Sequence, residues 1–199
     1  IEAAKHGQQV YGGHGYIKEW GMELIARDAR IATLYEGTTG VQALDLLGRK
    51  VILQSKGKVV RDYTAGIMKW CGEYALAKDM RKFVWALTKL CAEWNTLTVR
   101  IMLMARKDRE IISAASADYL MYVGYVMMGY HWARMAAVAY DKLENGGSES
   151  AEFYKAKIQT AEFYFDKILP RTSGLAESMV APSQSMTDME IDNYSFYDE

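Results

Sequence analysis

Proline is missing from the first 169 residues of this 199-residue chain; Pro170 and Pro182 are the only two. Proline breaks helix interiors, and its absence leaves long helices open to most of the chain. No segment shows sustained alternation of apolar and polar residues, while apolar residues recur at steps of three and four. The chain therefore reads as all-α. Residues 1–10 look like the end of a helix stopped by Gly12 and Gly13. Residues 22–33 read as a second short helix. From Thr38 to about Leu53, Val41, Leu44, Leu47 and Val51 fall on one face, with Thr38 or Thr39 as N-cap.

The polar run Gln54-Ser55-Lys56-Gly57-Lys58 marks a junction. Beyond it a stripe runs through Val60, Tyr63, Ile67, Trp70, Tyr74 and Ala77, then Met80, Val84, Leu87, Cys91 and Trp94, along one or two packed helices. A second stripe is Ala115, Tyr119, Tyr122, Val126, Tyr130, Ala133, Ala137 and Tyr140, ended by Asn145-Gly146-Gly147. Ser148 or Ser150 then caps a helix carrying Tyr154, Ile158, Ala161, Phe165 and Ile168, which Pro170 closes. Residues 60–169 thus read as about three long antiparallel helices. The expected division is 1–55, an additional helical domain over 56–172, and a tail over 173–199 that is ordered only by lying on another surface. The aromatic surplus near Tyr122, Tyr130 and Trp132 is expected to face the rest of the protein or a second subunit.

Composition excludes several classes. Net charge is −1, from 24 basic and 25 acidic side chains, which gives no electrostatic basis for binding nucleic acid or an anionic membrane. Cys71 and Cys91 form no C-x-x-C, and three scattered histidines complete no metal spacing, so no metal site is expected. A reduced, cytoplasmic setting fits the two cysteines. No signal peptide is legible, and the richest apolar run, around Tyr119–Ala139, is interrupted by Gly124, Gly129, His131 and Arg134, so no membrane span is expected. The start at Ile1-Glu2-Ala3-Ala4, already helical in composition, is expected to be the inside of a longer polypeptide.

Two segments are unusual. In Thr33-Leu34-Tyr35-Glu36-Gly37-Thr38-Thr39-Gly40-Val41-Gln42, one carboxylate stands between an aromatic residue and a glycine, just ahead of a helix. Leu34 and Tyr35 could desolvate Glu36 and raise its basicity, Gly37 leaves room for a flat group, and the amides of the following helix could stabilise an oxyanion. By itself Glu36 reads rather as a first-turn glutamate suited to the helix dipole. The other segment, Gln9-Val10-Tyr11-Gly12-Gly13-His14-Gly15-Tyr16, is neither a G-x-G-x-x-G fingerprint nor a P-loop. It reads as a helix cap and turn, or as a loop whose amides approach a phosphate. His14 reads as a surface or packing residue. Arg27 and Asp28 read as an ion pair that fixes the turn ahead of Glu36.

Taken together, Q-x-x-G-G-x-G-Y, Arg27-Asp28-Ala29-Arg30-Ile31 and Tyr35-Glu36-Gly37-Thr38 resemble, over about residues 1–53, the C-terminal helical domain of the flavin-dependent acyl-CoA dehydrogenases. Residues 59–172 resemble the extra helical domain of a larger subgroup that includes 3-methylmercaptopropionyl-CoA dehydrogenases, as in Tyr119-Leu120 and Trp132-Ala133-Arg134-Met135. The resemblance implies FAD, with Gln9, Gly12, Gly13 and Thr38 as cofactor contacts. It implies Glu36 as the catalytic base, with Tyr35, Glu36 and Gly37 at the substrate, and the Glu36 amide on the thioester oxygen. Gly40 departs from the glutamine common there and cannot supply that side chain's hydrogen bond. The implied partners are an acyl-CoA substrate, an electron-transferring flavoprotein and further copies in a dimer or tetramer. The implied N-terminal helical domain and β-domain lie outside these residues, so the chain alone is expected to be inactive. The contrasting expectation is a non-catalytic helical module that completes a partner's flavin site or stabilises an oligomer.

Overall fold

A computed structural model describes residues 1–35 and 37–194. The structure is all-α, with no strand among the described residues. It divides into two compact units, residues 1–42 and residues 43 onward.

In the first unit α1 (Glu2–Val10) packs on α2 (Met22–Ile31), and two short 3₁₀ turns, Gly12–Tyr16 and Lys18–Trp20, connect them. Only Gly15 is buried among its described residues. Val10, Tyr16, Trp20, Leu24, Ile25 and Ile31 are all exposed. So many large apolar side chains on so small a unit form a contact surface and leave no core.

The unit boundary falls inside α3 (Thr39–Leu44), which continues without a break into a π-helix, Asp45–Gln54. The single helix expected over 38–53 is therefore helical throughout but changes pitch. Asp45 explains how the wider turn is held. Its carboxylate takes both Arg49 and Lys50, four and five residues on, which flank it when a turn holds more than four residues. The Arg49 hydrogen bond, with Lys50 behind it, pulls the Asp45 carboxyl down to about 2. The stretch ends where Gly57, at φ +77°, returns its N–H to the Val51 carbonyl at 2.8 Å, within the expected junction.

The second unit contains α4 (Lys58–Glu73), α5 (Arg81–Met104), α6 (Glu110–Asn145) and α7 (Ala151–Phe163). The first expected stripe is thus two helices, and residues 60–169 form four. The chain turns between them through Tyr74–Ala77, and Met80, 2% exposed, anchors the return. Neighbours run antiparallel: Asn95 bonds Thr64, Tyr122 bonds the Leu90 carbonyl where Tyr119 meets Trp94, and Tyr164 bonds the Tyr125 carbonyl. α6 ends at Asn145, and the Ser150 hydroxyl caps α7 by accepting the Phe153 N–H, so Ser150 is the cap of the two expected. Helical geometry after α7 continues as a π turn to Ile168, and Pro170 opens a new 3₁₀ turn.

α6 is the central helix, packed against α5, α7 and α8 (Thr172–Ser178). By length and composition alone it is long and apolar enough to cross a membrane, a test that a buried core helix also passes. Its Tyr119, Tyr122, Val126, Ala133 and Ala136 are fully buried in the core of this unit. Tyr122 therefore does not belong to the exposed surplus: it is 0% exposed, and its hydroxyl donates to Glu93 at 2.8 Å. Tyr130 and Trp132 are half-buried. Past Pro170 the chain lies on α6. Ala176 and Met179 are buried, Ser178 bonds Asp118, and Ser183 bonds Asp108. Cys71 and Cys91 are free thiols in this core, and burial pushes Cys91 up to about 12.

A closed polar ring crosses α5 and α6. The Trp94 indole N–H donates to the Tyr119 hydroxyl at 2.9 Å, Tyr119 meets the Thr98 hydroxyl at 2.8 Å, and Thr98 donates to the Trp94 carbonyl at 2.8 Å. Tyr119→Phe preserves the ring volume and removes the acceptor for a buried indole. It is expected to lower stability by about 1–3 kcal/mol in urea denaturation, the cost of an unmet buried donor. A loss below about 0.3 kcal/mol would show that the ring carries no net stability.

Candidate functional site

The candidate site lies in the first unit, on the two segments singled out in the sequence. α1 ends at Val10, and Tyr11 leads into Gly12, whose φ of +58° suits glycine. The following turn returns so closely that a Cβ at Gly15 would sit 2.1 Å from the Gln8 carbonyl oxygen. Gly15 is thus the residue that lets this loop fold against α1, and the sequence reading did not single it out. Gly12 and Gly13 face outward, and a Cβ on either would meet nothing within 4 Å. Gln9 is exposed on the last turn of α1. His14 stacks edge-on to Trp20 at 5.2 Å, a packing contact at the surface as expected.

The second segment leaves α2 through a turn. The Leu34 and Tyr35 amides both donate to the Ile31 carbonyl, at 2.9 and 3.2 Å. Gly37 follows at φ +102°, a left-handed backbone that disfavours side chains. The Thr38 carbonyl accepts the Gln42 N–H at 3.0 Å, which puts Thr38 at the N-cap position of α3. Gly40 is exposed with open space beside it. Glu36, the expected base and substrate contact, lies outside the described residues. Leu34 and Tyr35 are exposed, at 49% and 64%.

A groove of about 630 Å³ runs between α1 and α2, lined by Gln8, Tyr16, Glu23, Arg27, Arg30 and Leu34 among others. It brings the two segments together through Gln8, Tyr16 and Leu34. Gln9, Gly12, Gly13, Tyr35, Gly37 and Thr38 do not line it. Arg27 and Arg30 were missed as site residues. Their spacing of three on one helix puts both on the same face, and that was legible. No ion pair joins Arg27 to Asp28. Adjacent residues on a helix point about 100° apart, so the expected pairing fails on geometry.

Comparison with known proteins gives two family matches. Residues 1–51 match the acyl-CoA dehydrogenase C-terminal domain, and residues 62–190 match the domain described as acetyl-CoA dehydrogenase C-terminal like. The chain is 34% identical over 174 residues to 3-methylmercaptopropionyl-CoA dehydrogenase of Ruegeria pomeroyi, covering 87% of this chain and 29% of that protein. It is 29% identical over 195 residues to a broad-specificity linear acyl-CoA dehydrogenase of Mycobacterium tuberculosis, covering 94% and 31%. Over 40 residues, 20% of this chain and 11% of the relative, it is 50% identical to a caffeyl-CoA reductase–Etf complex subunit of Acetobacterium woodii. The chain thus spans under a third of the length of these relatives.

The glycines differ in what they bear. Gly15→Ala forces the Gln8 backbone aside and is expected to lower the thermal midpoint clearly, while Gly13→Ala, facing open space, is expected to shift it little. Equal midpoints for the two variants, measured by circular dichroism, would remove Gly15 from its role as the closing residue of the loop.

Proposed function

The chain belongs to the acyl-CoA dehydrogenase family, and from that membership we propose that the protein catalyses α,β-desaturation of an acyl-CoA thioester. The observation that carries this reading is the position of Glu36. It directly precedes Gly37, held in left-handed backbone, and stands just ahead of the helix that begins at Thr39.

The proposed roles follow from chemistry. A C–H beside a thioester carbonyl is a weak acid, so a base acts on it only where the developing enolate is also stabilised. In this reading the Glu36 carboxylate takes the α-proton. Its own backbone N–H binds the thioester oxygen as charge builds there. Tyr35 and Gly37 line the substrate, and glycine keeps the path to the backbone clear.

The residues present fit a flavin. Gln9, Gly12, Gly13 and Thr38 are all exposed, and the two glycines leave open space where side chains would stand. A flat ring system can therefore reach the backbone of this loop. When bound there, FAD accepts the hydride that leaves the β-carbon. An electron-transferring flavoprotein is the proposed electron acceptor, in keeping with the relative named as part of an Etf complex. The protein is further proposed to form a homo-oligomer, with Met121, Met128 and Met135, exposed along one face of α6, available to subunit contacts.

Two variants of the intact protein test the reading. Glu36→Gln is expected to retain FAD and acyl-CoA binding and to lose desaturation by at least about 10³-fold, as loss of a general base does. Activity within a few-fold of wild type would take Glu36 out of the mechanism. Gly13→Val is expected to lower the flavin-to-protein absorbance ratio while leaving the thermal midpoint nearly unchanged, since a Cβ there meets nothing within 4 Å. Full flavin content in that variant would reduce the loop to a turn.

A further inference from the structure

The second unit carries a groove of about 650 Å³ between α4, α6 and α7, remote in sequence from the segments discussed above. Its walls are aromatic. Trp70 from α4 and Tyr74 from the turn after it lie 4.8 Å apart, Tyr130 from α6 meets Trp70 edge-on at 5.5 Å, and Phe153 and Tyr154 from α7 pair at 5.5 Å. Its charge is all of one sign. The Arg134 guanidinium sits 5.6 Å over the Tyr130 ring, the Lys157 ammonium 5.0 Å over the Phe153 ring, and no carboxylate lines the groove. Neither cation forms an ion pair among the described residues.

We propose that this groove binds a purine nucleotide, its base against the aromatic walls and its phosphate on Arg134 and Lys157. Three features favour that class. The aromatic faces stack any flat base. Two cations already held against rings offer a phosphate charge-assisted hydrogen bonds at little ordering cost. The volume lies in the range of small-ligand sites. An alkyl chain fits the lining less well, because Met135 and Val138 are its only large aliphatic members. A bare phosphate would use the cations and leave the rings idle.

The proposal is independent of the flavin and of Glu36, so its test reads binding and not turnover. Isothermal titration of AMP into the intact protein is expected to show saturable binding with one site per chain. Arg134→Glu combined with Lys157→Glu should weaken it at least about tenfold, and Phe153→Ala at least about fivefold. Arg134 and Phe153 are exposed and Lys157 partly so, and thermal midpoints of the variants should stay near wild type, which separates lost binding from lost folding. Adenosine should bind at least about tenfold more weakly than AMP, and inorganic phosphate more weakly still. Coenzyme A carries the same base and phosphates. If it displaces AMP, the source is the nucleotide end of a CoA thioester; if AMP binding ignores it, the source is a free nucleotide. The proposal is overturned if AMP shows no saturable binding at millimolar concentration, if the double charge reversal leaves affinity unchanged, or if inorganic phosphate binds as well as AMP.

Discussion

The second unit depends on the burial of α6 against its neighbours. A helix of 36 residues with fully buried positions from Ile111 to Ala139 supplies one wall to the packing of α5, α7, α8 and the π stretch. Packing alone does not fix its register, because alanines and valines along its length would tolerate sliding. The ring of Trp94, Tyr119 and Thr98 does. Each of its hydroxyls both donates and accepts, and the single indole N–H has one acceptor within reach. A slide by one turn would leave all three polar groups unmet in a dry core, a cost of several kcal/mol when summed. Tyr122 repeats the device one turn on, through Glu93 and the Leu90 carbonyl.

Irregular backbone concentrates away from that register. The π stretch Asp45–Gln54 is held by charge at Asp45 and by glycine at its end, and the 3₁₀ turn after α1 by the absence of a Cβ at Gly15. Such segments lose ideal hydrogen-bond geometry and persist only where a specific contact compensates. In the first unit those contacts are local and the apolar side chains stay outside, so its shape is set by turn chemistry and not by a core.

This difference decides what was legible in the sequence. In the second unit, stripes of three and four residues marked the buried faces: Tyr154, Ile158, Ala161 and Phe165 are buried as their spacing required. Ser150 and Asn145-Gly146 marked their boundaries for the capping reasons that place them there. The break between α4 and α5 was not legible. Its turn residues, Tyr74–Ala77, include no proline or glycine, and it is imposed by where Met80 and Cys71 must be buried. The turn from α to π geometry was hidden because Leu47 and Val51 fit either pitch, and only the double pairing at Asp45 distinguishes them. At the candidate site, Gly12 was readable from its type, whereas Gly15 was not, since its need comes from a carbonyl that folding brings to it. Reading Arg27 as the partner of Asp28 mistook adjacency in sequence for adjacency in space.

The exposure of Leu34 and Tyr35 bears on how Glu36 could act as a base. A carboxylate in water is a poor match for a thioester α-proton, and its basicity rises only when water is replaced by apolar surface or by fixed dipoles. Gly37 and the amide end of α3 suit an oxyanion, while Leu34 and Tyr35 stand exposed. If Glu36 is the proposed base, the surfaces that dry it would be those of the bound flavin and acyl chain and whatever covers Leu34 and Tyr35. In the proposed reaction, proton abstraction would then be gated by occupancy.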